Sequence, residues 1–467
     1  MRSTGAILLV SCYELGHQPL SLAWPLAFLR SAGYDPVAVD LSVDSLDDAT
    51  IARAGLVAIS VPMHTALRLG VGVAERVRRV NPKAHVCFFG HYAALNSSYL
   101  LDQLGDSVVA GEYEPALVDL AAALERGNRP QLPGVTTTAS PAAPKLARLS
   151  FPVPVRAELP DLSRYARLQR GSELSLAGYV EASRGCLHTC RHCPITPVYG
   201  GRFFVVPADV VLADVRAQVA AGARHVTFGD PDFLNGPGHS MKIVRAIHAE
   251  FPDLTFDVTV KIEHILERRE LFPELGALGC LFVVSAVESL SDRVLGALDK
   301  GHTKEDVVAA IRITRNAGLH LRPSLVAFTP WTTLDDYLEV VDFVAEHDLI
   351  DDVDPVQFSI RLLIPPGSAL LEENHTAPWL GRLDDAAFTY EWTHPDPRMD
   401  QLHRDVAALV EVADADGRDP HDTFAAIRAL AYTAAGRAAP TRELVAVGAG
   451  ASPPRERPPR LTESWFC

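Results

Sequence analysis

Residues 181–195 read EASRGCLHTCRHCPI, and the three cysteines in this run, Cys186, Cys190 and Cys193, stand in C-x3-C-x2-C spacing. A thiolate triplet this tight reaches three irons of one iron-sulfur cube and leaves the fourth iron without a protein ligand. Electron-transfer clusters and structural zinc sites take four ligands, so a triplet with no fourth cysteine nearby points to a cluster that binds substrate at its open iron. The competing reading is a zinc site completed by His188 or His192, but no second ligand pair follows at zinc-motif spacing.

Working outward, residues from about 175 to 375 alternate apolar strand candidates with helical stretches: GYVEASRG, RHVTFGD, TFDVTVK, LFVVSAVES, RPSLVAF and VQFSIRLL. Thr303 and Asp306, ahead of Val307, Val308 and Ile311, form a capping-box sequence that opens one of these helices. Upstream, AILLVSCY, PVAVDLSV, LVAISVPM, HVCFFGHY and SVVAGEY alternate with helices over residues 5–126, the pattern of a doubly wound parallel sheet. Between the third and fourth of these strands, Leu69, Val73, Val77 and Val80 recur at helical spacing. Ligands of such sheets gather at the strand C-termini, which here hold Cys12, Tyr13, Glu14, Ser60, His64, Gly90, His91, Gly111 and Glu112. A Pro-rich stretch over 127–172 reads as a linker, residues 376–440 as helical and polar-faced, and the remainder as an extended tail.

The cysteine motif resembles that of the radical S-adenosylmethionine (SAM) superfamily. The resemblance implies an α/β fold: a Rossmann-like domain over 1–126, a partial (β/α)6 barrel over 173–375 with its active site at the strand C-termini, and a helical segment over 376–467. It also implies a [4Fe-4S] cluster on Cys186, Cys190 and Cys193 and a SAM molecule on its open iron. The turn Gly229-Asp230-Pro231-Asp232 matches the family's Gly-rich turn for the methionine amine. Lys261 stands where relatives carry a basic residue for the methionine carboxylate, Glu288 matches the Glu of their fourth strand, and Arg361 is a second basic candidate. Tyr199, Phe203 and Phe204 follow the cluster loop and are placed to stack near the adenine.

Residues 19–41, the FFGHYA turn and VAGEYEP resemble the cobalamin-binding domain that precedes the barrel in many of these enzymes. The family's D-x-H-x-x-G loop is absent; the matching stretch reads CYELGHQP, so His17 is not assigned as a cobalt ligand. The closing LTESWFC resembles a narrower group whose C-terminus continues with Cys or selenocysteine and then Ala-Glu-Pro. That resemblance implies a catalytic role for Cys467 and a stop at a selenocysteine codon read as termination.

Seven cysteines in 467 residues make no disulfide framework, and a labile cluster needs a reducing compartment, which points to the cytoplasm. No apolar run reaches the length of a membrane helix. A net charge of −15 opposes attraction to phosphate backbones, so a small molecule is expected as substrate, with a flavodoxin or ferredoxin as reductant. The leading expectation is cobalamin-dependent methylation. The alternatives are transfer of the 3-amino-3-carboxypropyl group to sulfur or arsenic, and a non-catalytic iron-sulfur redox sensor with His188 as the fourth ligand. Substrate contacts are sought in the C-terminal segment, at Trp379, Trp392, His394 and Asp396.

Overall fold

The aliphatic runs of the first hundred residues become strands because their side chains alternate between two buried faces. In the computed structural model, which describes residues 1–127, 131–440 and 457–463, these strands are β1 (Ile7–Ser11), β2 (Val37–Asp40), β3 (Leu56–Ser60), β4 (His85–Phe89) and β5 (Ser107–Val109). They lie parallel in the order β2-β1-β3-β4-β5, and the short β6 (Val135–Thr136) adds an antiparallel edge from the Pro-rich stretch. Leu8, Val10, Val57, Ile59, Val86 and Phe88 pack into a core on one face, and Ile7, Leu9, Leu56, Ala58, Cys87 and Phe89 into a core on the other. That period-two division is what a sheet covered by helices on both sides requires. The helix His64–Val80 buries Val73 and Val77, whereas Leu69 is 51% exposed and leaves the expected stripe. Strand order reverses between β1 and β3, which opens a crevice at their C-terminal ends.

The second sheet runs β14-β13-β12-β11-β8-β7-β17. Its strands are β7 (Arg167–Arg170), β8 (Glu173–Val180), β11 (His225–Phe228), β12 (Thr255–Thr259), β13 (Cys280–Glu288), β14 (His320–Leu325) and β17 (Arg460–Leu461). Between β8 and β11 a separate hairpin forms from β9 (Ser183–Gly185) and β10 (Phe203–Val205). Five of the barrel strands are parallel, and β7 and β17 extend the edge antiparallel.

A sixth parallel strand was expected from VQFSIRLL, but Pro355–Ser359 forms a 3-10 turn, leaving a single parallel bridge between Phe328 and Arg361. The reason is local competition for backbone partners. The Gln357 side chain accepts the Leu325 N–H (2.8 Å), and the Tyr337 hydroxyl donates to the Phe358 carbonyl (2.9 Å).

The segment expected to be helical from 376 begins instead as a hairpin, β15 (Leu380–Asp384) and β16 (Thr389–Trp392), as its Thr-Tyr-Glu-Trp run favours. Helices follow only at Pro397–Ala415 and Pro420–Ala434. The hairpin tip reaches back to the first domain. Phe388 is 4% exposed within that domain's core and meets Tyr99 edge-on at 5.2 Å, and the Ala387 carbonyl lies 2.7 Å from His64 Nε2.

Candidate functional site

The three-cysteine loop is tied at both ends. β9 leads into it and β10 leads out, and the Cys186 N–H donates to the Arg202 carbonyl (3.1 Å). Gly185, at the loop's entrance, has φ +76, and a Cβ there would lie 2.4 Å from the Arg202 carbonyl oxygen, so only glycine passes. Asn235 accepts the Leu187 N–H (3.1 Å), and the Arg191 N–H donates to Leu298 (3.0 Å). Cys186, Cys190 and Cys193 are free thiols. Burial pushes Cys186 up to about 11 and Cys193 up to about 12, and neighbouring cysteines of the triplet push each further.

Thiols raised as Cys186 and Cys193 are become thiolates only beside a strong cation, the environment an iron cluster provides. The two histidines inside the loop are engaged elsewhere. His188 Nδ1 lies 3.1 Å from the Lys261 ammonium, and His192 Nε2 lies 3.2 Å from Glu288. The residues present therefore fit a cluster held by three cysteines.

The turn after β11 splits its two carboxylates between two tasks. Asp230, 1% exposed, accepts the Ala182 N–H (2.8 Å) and the Ser183 hydroxyl (2.6 Å), fixing the start of the cluster loop. Burial pushes its carboxyl up to about 7 while the Ser183 hydrogen bond opposes the rise. Asp232 instead faces His264 Nδ1 (2.7 Å) and His188 Nε2 (3.5 Å). Burial works against its charge, but hydrogen bonds from those two rings hold it below the usual carboxylate range. Lys261 also pairs with Glu263, so a lysine, two carboxylates and two imidazoles converge beside the cysteines. At Gly229 a Cβ would lie 2.3 Å from the Tyr179 hydroxyl, so barrel packing already demands that glycine.

Glu288 and Arg361 are committed in ways the sequence did not disclose. Glu288, at the end of β13, takes both the Lys300 ammonium and His192 at 3.2 Å each. Arg361, sought as a cofactor contact, stacks over Trp392 (3.5 Å to the ring centre) and donates to Asp400 (2.9 Å) and to the Trp392 carbonyl (2.7 Å). Without the sixth strand to carry it, its guanidinium serves the C-terminal segment. Phe203 packs against Gly236, and the Tyr199 hydroxyl donates to Glu112 (2.9 Å).

That last bond crosses between the domains, and it is one of several. Arg184 inserts its guanidinium among Glu112 (3.2 Å), Glu114 (2.7 Å) and Glu181 (2.6 Å), with Phe151 over its face at 4.9 Å. The His91 ring meets Tyr199 at 5.8 Å, and His17 stacks on Tyr179 at 4.3 Å. Burial pushes both histidines down to about 4 and keeps them neutral. The C-terminal ends of the first sheet therefore face the cysteine end of the barrel.

Along that edge, a Cβ at Gly90 would lie 3.0 Å from the Val61 carbonyl, and one at Gly111 2.3 Å from the Lys145 carbonyl, which also accepts the Glu112 N–H (2.7 Å). The β5 end is thus roofed by the Lys145 segment. At the β1 and β3 ends, the buried hydroxyls of Ser11 and Ser60 have no partner among the described residues, so the switch point keeps polar groups available to a cofactor. Cys467 lies outside the described residues. The last described one, Glu463, accepts from the Tyr13 hydroxyl (2.7 Å).

Residues 180–344 match the model of the Radical SAM superfamily. The chain carries a radical SAM domain. This family uses a [4Fe-4S] cluster and SAM, in agreement with the three-cysteine loop. The chain is 26% identical over 326 residues to the hopanoid C-3 methylase of Methylococcus capsulatus, covering 67% of this chain and 62% of that protein. It is 27% identical over 348 residues to a tRNA-2-methylthio-N(6)-dimethylallyladenosine synthase of Sorangium cellulosum, covering 68% and 64%. The chain thus spans less than two thirds of the length of both relatives.

Among solved structures, the radical SAM methyltransferase TsrM from Kitasatospora setae, with cobalamin and a [4Fe-4S] cluster bound, aligns at TM-score 0.65 and 18% identity over 92% of this chain and 89% of that one. The cobalamin-dependent radical SAM enzyme OxsB with aqua-cobalamin aligns at 0.68 and 15% over 88% and 67%. These likenesses establish the two-domain fold around the radical SAM domain.

Sequence reasoning passed over Arg184, Glu114, Glu181, Glu263, His264 and Lys300. Arg184 stood two residues before Cys186 in the deciding stretch, a buried-sheet position where a charge demands partners.

Proposed function

We propose that this protein is a cytoplasmic radical SAM methyltransferase that uses cobalamin to methylate a small molecule. The observation that carries the reading is the facing of the C-terminal ends of the first sheet, at His17, His91 and Glu112, and the cysteine end of the barrel across one buried interface. When bound, the cluster supplies an electron to the sulfonium of SAM and cobalamin carries the methyl group. Cys186, Cys190 and Cys193 hold three irons. Asp232 and Glu263, now paired with His264 and Lys261, would accept the methionine ammonium of SAM, and Lys261 would meet its carboxylate.

Ser11 and Ser60 offer hydroxyls to the polar rim of the corrin. His91 and Tyr199 wall the interface with neutral rings, and the Arg184 knot keeps water out between the domains. A flavodoxin or ferredoxin is the expected reductant. Charge favours a small-molecule substrate. Because a tRNA-modifying enzyme is among the relatives, tRNA belongs in the test as a competing substrate.

The test is anaerobic reconstitution with iron and sulfide, then mass spectrometry of the nucleosides formed from SAM under a strong reductant, with and without cobalamin. Appearance of 5'-deoxyadenosine, with S-adenosylhomocysteine only when cobalamin is present, is the expected result. Dominant 5'-methylthioadenosine would replace methylation by aminocarboxypropyl transfer. Equal inertness of the wild type and Cys190→Ala would remove the catalytic reading.

A further inference from the structure

Lys300 is a buried ammonium outside the cofactor contacts assigned so far. It lies in the connection between β13 and the helix Lys304–Asn316, and its side chain is 3% exposed. An ammonium removed from water stays charged only beside a fixed anion. Glu288 is that anion, at 3.2 Å. Its backbone has φ +63, a left-handed conformation uncommon at the end of a strand, and its carboxylate takes both Lys300 and His192 of the cluster loop. The backbone is joined at the same place, since the Arg191 N–H donates to the Leu298 carbonyl. The cysteine loop and the Lys300 connection are therefore tied at two points.

Burial works against the charges of this pair, yet Lys300 foremost and then His192 hold the Glu288 carboxyl down at about 2. Burial likewise works against the lysine, but Glu288 first, and then Cys190 and Cys193, hold its ammonium above the ordinary lysine range. His302 is pushed down to about 4, first by burial and then by Lys300, and stays neutral. Lys300 and Glu288 thus bring one ammonium and one carboxylate to this side of the loop.

Resting on the reading that the three cysteines hold a cluster, we propose that Lys300 is a positioning residue that makes the cluster easier to reduce, with Glu288 setting how strongly its charge acts. Reduction adds one negative charge to the cluster, and a buried cation tied to the cluster loop through Glu288 and His192 stabilises the reduced state in a low-dielectric surrounding. Glu288 has the opposite sign and opposes that effect, while fixing the lysine in place.

The two residues therefore make predictions of opposite sign. The reconstituted protein is poised at a series of potentials, the reduced cluster is quantified by electron paramagnetic resonance, and iron and sulfide content is measured alongside. Lys300→Met is expected to shift the cluster potential negative at unchanged iron content, Lys300→Arg to stay near the wild type, and Glu288→Gln to shift it positive.

A Lys300→Met protein with full iron and an unshifted potential overturns the inference. So do shifts of Lys300→Met and Glu288→Gln in the same direction, which would mark a packing role. Glu288→Gln carries the test by itself should Lys300→Met not fold, and no positive shift there overturns the inference. A wild type that takes up no iron and sulfide overturns the cluster reading, and this inference with it.

Discussion

Glu112 shows how one side chain sets a pH dependence. Fully buried at the domain interface, it shares Arg184 with Glu114 and Glu181, and burial pushes its carboxyl up to about 7 against the pull of that guanidinium. The folded protein thus holds this proton more tightly than the unfolded chain, whose glutamate titrates near 4.5. Its contribution to stability is fully present below about 4.5 and fades as pH rises through about 7. Glu112→Gln keeps the shape without the titration. The unfolding free energy of the wild type minus that of the variant, from urea melts, is expected to decline between pH 4.5 and 7; a flat difference would show that the shift is absent. The sequence placed Glu112 at the crevice, because a residue after a parallel strand has few other places to go. It could not place Arg184 beside it, since the two are 72 residues apart and meet only when the domains do.

At the scale of elements, Gly185 and Phe388 give the sharpest tests. A Cβ at Gly185 adds the strain of a left-handed backbone, about 1–2 kcal/mol, to a collision with the Arg202 carbonyl and the Tyr199 ring. Gly185→Ala is expected to lose most bound iron after reconstitution while the rest of the chain keeps its circular dichroism spectrum. Phe388 plugs the hairpin tip into the first domain, and Phe388→Ala is expected to cost about 3 kcal/mol or more in a urea melt.

Elements governed by neighbours in the chain were legible. Thr303 and Asp306 do form the reciprocal capping box, because both partners lie within one turn. Elements governed by competition were not. VQFSIRLL has a strand's composition, yet the Gln357 side chain takes the Leu325 N–H that a sixth strand would have paired. Leu69 had the right spacing to be buried but lies on a part of its helix left exposed among the described residues.

For the whole molecule, Arg184 is the joint. It links the cluster loop to two glutamates of the first domain, and removing one partner of a buried charge network strands the rest. Arg184→Met is expected to cost about 3–5 kcal/mol and, in scanning calorimetry, to split the unfolding of the two domains into separate transitions. A single transition at unchanged temperature would show that the interface holds without it.

The amino-acid sequence by itself determined the alternation of strands and helices, the three-cysteine motif with its spacing, and the glycine turn after β11. Each of these follows from periodicity or from residues a few positions apart. Only the tertiary structure decided that Asp230 serves the loop while Asp232 faces the histidines, that Arg361 stacks on Trp392, and that Glu288 closes on Lys300. Those pairings join residues from different elements, and which carboxylate finds which cation depends on how the elements close around the core rather than on any local preference of the chain.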